Sequence, residues 1–213
     1  MGIIDCIAEY IDKVDHRVPI FTADIFDYVE RKIPGVRRDL LNVYITRYAK
    51  NNPNFVRYQK GIYYKTVTTP FGRASINYTD LIRRTYLTDE TDVYGYETGP
   101  SFMNKLGLTT QMPAHTYIVT ERNRVILAED KSIFLIKPMT DITKDNYRYL
   151  QFLDILDNRL NVIIEAQNTK EILRSYIDKH SLDFELMLYY AGYYRNNRLY
   201  ARIADLAKGG EQI

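Results

Sequence analysis

The chain has no tryptophan and a single cysteine, Cys6, in 213 residues. A lone thiol excludes an internal disulfide framework, and in an apolar helical pattern it suits a reducing compartment. It also leaves a structural zinc site without its usual thiolates. The three histidines, His16, His115 and His180, are scattered, so no pair stands at metal-ligand spacing. No apolar run approaches the roughly 18 residues of a membrane span, and Asp5 interrupts the first apolar stretch, so no charged-then-apolar export signal is legible. These absences predict a cytoplasmic protein with no membrane association. A phosphate-cradling glycine loop of the Walker type and a serine nucleophile elbow are missing too. The chain therefore does not read as an enzyme, and no cofactor or metal is expected. Abundant Tyr, Ile, Asn and Lys reflect AT-rich coding more than any activity.

Net charge is only +2, but it is unevenly spread. From Arg31 to Lys65 the cations Arg31, Lys32, Arg37, Arg38, Arg47, Lys50, Arg57, Lys60 and Lys65 face the single acid Asp39, which gives that segment +8 and the rest of the chain −6. Binding a polyanion needs Lys and Arg gathered on one surface. An ordinary solvated basic face would show the same count, so the predicted elements have to decide.

Ile3, Ile4, Ile7, Ala8 and Ile11 form an apolar stripe at helical spacing, ending near Val14. Pro19 to Phe21 reads as extended. Thr22 is a plausible N-cap for a second helix carrying Ile25, Phe26 and Val29, which Pro34-Gly35 stops. A third helix runs from about Arg37 to Asn51 with Leu41, Tyr44, Ile45 and Tyr48 inward. Phe55 to Tyr58 and Ile62 to Tyr64 form a hairpin whose turn uses Gly61. Three helices followed by a basic hairpin predict an N-terminal winged helix-turn-helix over residues 1–68. In that design the third helix enters the major groove while the hairpin touches the backbone. Arg37 and Arg38 are candidates for reading guanine, and Asn42 for pairing with adenine. Thr46 shares the outward face, Arg47 and Lys50 suit phosphates, and Arg57, Gln59 and Lys60 sit at the wing.

"TVTTPFG", Thr66 to Gly72, has no helical pattern and reads as the boundary. Residues 71–213 hold 18 Lys+Arg against 19 Asp+Glu, a balance with no appetite for DNA. Residues 69–213 are predicted to form a mixed α/β effector domain with a helical end, which makes the whole chain α/β (α+β). A helix near Asn77–Tyr86 comes first. A capped helix follows, with Pro100 at its start and Gly107 as its left-handed end. Thr116–Thr120 and Ser132–Lys137 read as strands, and Tyr147–Ile164 as a long amphipathic helix. Further helices are predicted near Lys170–Lys179, Asp183–Tyr193 and Arg198–Ala207. In "LYYAGYYRNNRLY", Leu188 to Tyr200, the tyrosines read as amphipathic core edges rather than base-stacking platforms. After the cap, Thr109-Thr110-Gln111 has two readings: local satisfaction of backbone groups, or a functional loop.

The string "GYETGPSFMNKLGLTTQMPAHTYIVTERNR", Gly95 to Arg124, resembles the signature of the AbiEi family of abortive-infection antitoxins, and "KGIYYK", Lys60 to Lys65, resembles that family's wing. The resemblance covers nearly the whole chain, with "LGLTTQ" as its most specific block. It departs in "NNPNF", where the family often has a glycine turn, and in having no appended nuclease-like domain. The resemblance implies a type IV antitoxin. Such a protein represses its own operon by binding double-stranded promoter DNA, at repeated half-sites, through its N-terminal domain. Its C-terminal domain counteracts a neighbouring nucleotidyltransferase toxin without a stable complex. The resemblance also makes Thr109, Thr110 and Gln111 part of an antitoxicity loop. Two other readings stay open: a repressor whose second domain is unrelated to toxins, and a metal-dependent nuclease built on "VIIEAQ" with Asp154, Asp157 and Glu165. The last lacks a lysine two residues after the glutamate.

Overall fold

The computed structural model describes residues 2–89, 91–122 and 132–208. The chain divides into two compact units, Met1–Ile82 and Arg83–Ile213, so the division falls later than the expected boundary at 68/69. The segment read as the boundary holds a small antiparallel hairpin inside the first unit. Thr68–Thr69 pairs with Gly72–Arg73. The Thr69 hydroxyl donates to the Gly72 carbonyl at 2.8 Å and the Thr66 hydroxyl to Ala74 O at 2.8 Å. Threonine side chains thus fix a stretch whose Pro and Gly suggested only punctuation.

The first unit begins with α1 (Ile3–Lys13), then β1 (Ile20–Phe21), α2 (Thr22–Lys32) and α3 (Arg38–Asn51). Next come β2 (Phe55–Gln59), β3 (Ile62–Lys65), the hairpin strands β4 and β5 (Thr68–Thr69 and Gly72–Arg73), and α4 (Tyr78–Ile82). The sheet order β1-β3-β2 is antiparallel throughout. Thr22 is not the N-cap of α2. Phe21 takes that place, because β1 commits it to pairing with Ile62, and the Thr22 N–H donates to Gly61 O at 3.0 Å. The turn of the hairpin therefore satisfies the helix start. Ile7, Ile25, Val29, Ile45 and Cys6 are fully buried between the three helices. Each buried aliphatic side chain contributes about 1.5–3 kcal/mol, and stacked Phe55 and Tyr63, 4.9 Å apart, extend this core into the hairpin.

The second unit is mixed α/β. It opens with a π-turn, Arg83–Leu87, and builds a three-stranded sheet from β6 (Gly95–Thr98), β7 (Thr116–Thr120) and β8 (Ile133–Ile136). β6 is antiparallel and β8 parallel to β7. The helices are α5 (Gly99–Lys105), α6 (Tyr147–Asp157), α7 (Thr169–His180), α8 (Phe184–Ala191) and α9 (Asn197–Lys208), with a 3-10 turn at Gly192–Tyr194. The long helix expected to Ile164 stops at Asp157. Asn158 takes φ 48° and its side chain exchanges two 2.9 Å bonds with the backbone of Val162, a left-handed cap that asparagine tolerates. Fully buried Leu150, Phe152, Leu153, Met187 and Leu199 form the centre of this core. Of the tyrosine-rich string, Tyr194 is buried and Tyr190 half-buried, whereas Tyr189, Tyr193 and Tyr200 face solvent. No helix among the described residues is long and apolar enough to cross a membrane.

Candidate nucleic-acid interface and the Thr-Thr-Gln loop

Because Leu41 and Ile45 anchor α3, the opposite face carries Asn42, Val43, Thr46, Arg47 and Lys50, all exposed. Arg37, the N-cap residue, is exposed but engaged: its Nη2 meets Asp39 Oδ2 at 2.5 Å and its Nε meets Oδ1 at 3.1 Å. That bond lowers the Asp39 carboxyl and raises the Arg37 guanidinium from their ordinary values. Arg38 stands over the Phe26 ring, 4.5 Å from its centroid. It shares with Thr22, Ala23, Leu41 and Asn42 a concavity of about 190 Å³ between α2 and α3. One turn apart, Arg38 and Asn42 thus present two planar hydrogen-bonding groups from one depression. Thr46 contributes less than its position promised, since its hydroxyl donates to the Asn42 carbonyl at 2.8 Å.

The charge count also sharpens. Lys32 is paired with Glu9 at 2.5 Å; Lys13 and the Tyr28 hydroxyl bind the same carboxylate, and the three together lower its pKa to about 2. Arg31 bonds the Asp27 carbonyl and Lys65 the Asp12 carbonyl. The remaining cations of the basic segment, Arg38, Arg47, Lys50, Arg57 and Lys60, stand on α3 and the hairpin and are exposed. Gln59 is half-buried beside a register shift between Arg57 and Gln59. Sequence reasoning passed over Val43, 46% exposed on the outward face of α3. An apolar residue among polar ones on the outward face was the available signal.

No family model matches the chain, and no curated protein matches it.

The Thr109-Thr110-Gln111 stretch leaves α5 through a complete left-handed cap. Gly107 has φ 77°, its N–H donates to Asn104 O at 2.9 Å, and the Leu108 N–H donates to Met103 O at 3.0 Å, the paired bonds of a Schellman motif. Beyond it the loop grips a carboxylate. Glu165 Oε2 accepts from the Thr110 N–H at 2.7 Å and the Thr110 hydroxyl at 2.5 Å, with the Thr109 hydroxyl at 3.4 Å. The Thr110 hydroxyl, then its N–H, hold the Glu165 carboxyl below the ordinary glutamate range. The Glu165 N–H in turn donates to Leu108 O at 2.9 Å, and Asn104 Nδ2 donates to the carbonyls of Thr109 and Gln111. Thr110, Gln111 and the following Met112 are exposed, whereas Thr109 is 3% exposed. Asn123 and Arg124, the end of the quoted signature, lie outside the described residues.

The acids of the nuclease reading do not converge. Glu165 is not on a strand and is held by Thr110, while Asp157 binds Arg159 and Asn196. Asp154 accepts from the Tyr194 hydroxyl at 2.8 Å and lines a cavity of about 150 Å³ with Tyr96 and Thr98. Asp154 as a residue is half-buried, and burial of its carboxyl raises its pKa against the lowering effect of the Tyr194 hydroxyl and then the Arg159 charge. Among the described residues no group of three or more His, Cys, Asp or Glu is placed to hold a metal.

Proposed function

We propose that the chain is a sequence-specific regulator that docks its first unit, as a winged helix, on double-stranded promoter DNA. The observation that supports this reading is the set of exposed groups on α3 and the hairpin. Arg38 and Asn42 open one concavity, while Arg47, Lys50, Arg57 and Lys60 extend the positive surface along both elements. Arg37 joins them once Asp39 releases it, and exposed pairs of this kind are weak. Base-edge contacts then fall to Arg38, Asn42 and Val43, with phosphate contacts to the remaining cations. Binding of a fluorescent duplex from upstream of the gene, at fixed salt, tests the reading. Arg38→Ala together with Asn42→Ala abolishes the preference over a scrambled duplex and leaves non-specific binding intact. Equal loss on both duplexes refutes the base-reading role.

The resemblance to AbiEi antitoxins extends the proposal to autorepression and to protection against a nucleotidyltransferase toxin through the second unit. In that reading Thr109 and Thr110 hold the loop, and Gln111 with Met112 is the part offered to another molecule, since both are exposed. Growth rescue on co-expression with a nucleotidyltransferase from the adjacent gene tests this extension. Promoter binding without rescue favours a repressor whose second unit has another task.

A further inference from the structure

The helices α5, α6 and α7 of the second unit border an open groove of about 570 Å³. Its volume falls in the range of small-molecule sites, about 300–1,000 Å³. Phe102 of α5, Leu106 at its C-cap and Ile172 of α7 make one part apolar. Arg148 of α6 and Lys179 and His180 at the end of α7 make the other part basic.

The basic group is built rather than incidental. Buried Gln151 accepts from Arg148 Nη1 at 3.1 Å and from the Tyr176 hydroxyl at 2.8 Å, and its own Nε2 donates to Glu97 O at 2.8 Å. Arg148 also lies over the Tyr147 ring, 4.6 Å from its centroid. The His180 ring rests on Tyr176, 4.4 Å between centroids. Among the described residues no carboxylate pairs with Arg148 or Lys179, whereas nearby Lys105 is matched by Glu97 at 2.5 Å. Glu171 is the one acid in the lining. Burial, and then the charges of Arg148 and Lys179, push the His180 imidazole below the ordinary histidine range. Cations that repel a neighbouring imidazolium, with no carboxylate partner among the described residues, gain most from an anion placed among them.

We propose that this groove binds a phosphate monoester carried on a body with a flat aromatic ring, the chemistry of a nucleotide. Its phosphoryl group sits on Arg148, Lys179 and His180, and its ring lies against Phe102, Leu106 and Ile172. Phosphate alone fills a small part of the space, so the ring supplies the remaining contact. The inference concerns the second unit and does not depend on DNA docking by the first.

The experiment is a proton NMR titration of the histidines in the full chain, with adenosine 5′-monophosphate, adenosine and inorganic phosphate as probes. The monophosphate is expected to raise the His180 pKa and to shift its signals saturably, because an anion favours the imidazolium. His16, in the first unit, and His115, packed on Phe134, serve as controls. Lys179→Gln and Arg148→Gln each weaken binding by about tenfold or more, the factor for one hydrogen bond to a charged group. Lys179→Gln leaves the Gln151 network in place, so its effect is separable from misfolding. A 5′-phosphorylated oligonucleotide that shifts His180 where its 5′-hydroxyl counterpart does not identifies a nucleic-acid end as the source; a response to the mononucleotide alone identifies a free nucleotide. No response of His180 at millimolar monophosphate, or equal responses to monophosphate and adenosine, overturns the proposal.

Discussion

Neutralising Lys60 is expected to change the salt dependence of DNA binding by a defined amount. Arg47, Lys50, Arg57 and Lys60 lie exposed on α3 and the hairpin. If each neutralises one phosphate of B-DNA, log K falls with log salt at a slope of about −3.6 from these groups. Raising salt from about 50 to about 200 mM then weakens their contribution by about 150-fold. Lys60→Ala removes one phosphate, so the slope becomes shallower by about 0.9 and the same salt step weakens binding by only about 40-fold. Because the phosphate term carries no sequence information, a cognate and a scrambled duplex lose affinity in the same proportion at any one salt concentration. The assay is fluorescence anisotropy across a series of salt concentrations with both duplexes. A Lys60→Ala slope identical to that of the unaltered chain refutes contact between the hairpin and the backbone. A change confined to the cognate duplex refutes the division into base and phosphate contacts.

Gly107→Val places a β-branched side chain at φ 77° where nothing lies within 4 Å of the added carbon, so the penalty is backbone strain of about 1–2 kcal/mol. The melting temperature of the second unit falls by a few degrees, and an unchanged melt refutes the left-handed cap. Glu165, whose pKa is lowered in the folded chain, supports the loop fully above the ordinary glutamate range and loses that support as pH falls through its folded value. Protection of the Thr110 amide, taken by NMR as its exchange rate relative to the intrinsic rate at each pH, therefore falls on acidification, and Glu165→Gln weakens this pH dependence. Asp154 has the opposite sign: its raised pKa means that its stabilising protonated form is lost as pH rises through the folded value. Asp154→Asn accordingly gains on the unaltered chain in melting temperature between acid and neutral pH, and a pH-independent difference refutes an enclosed carboxyl.

Regular periodicity was legible. The stripe of Ile3, Ile7 and Ile11, the inward Leu41 and Ile45, and the Gly61 turn each express a spacing that local geometry imposes, and the helices and hairpin they imply are present. Compensated irregularity was not. β6 went unread because Gly95 is a strand residue for a nonlocal reason: a β-carbon there would lie 2.0 Å from the Tyr86 carbonyl oxygen. The hairpin within Thr66–Arg73 also went unread, because a proline and a glycine mark a turn without telling whether threonine hydroxyls will hold it. Asn158 ended α6 early through bonds to Val162 that a hydrophobic pattern does not carry.

The candidate surface divides along the same line. Sequence alone determined that the cations cluster between Arg31 and Lys65, because composition and helical spacing require no partner. Tertiary structure decided which of them face outward together: Glu9 engages Lys32, and Phe26 orients Arg38 from another helix. It also decided what Thr109 and Thr110 bind, since their carboxylate partner Glu165 is 55 or more residues away. Local rules set the conformation of a loop as far as its cap, but a hydrogen bond across such a separation exists only once the core has brought both segments together.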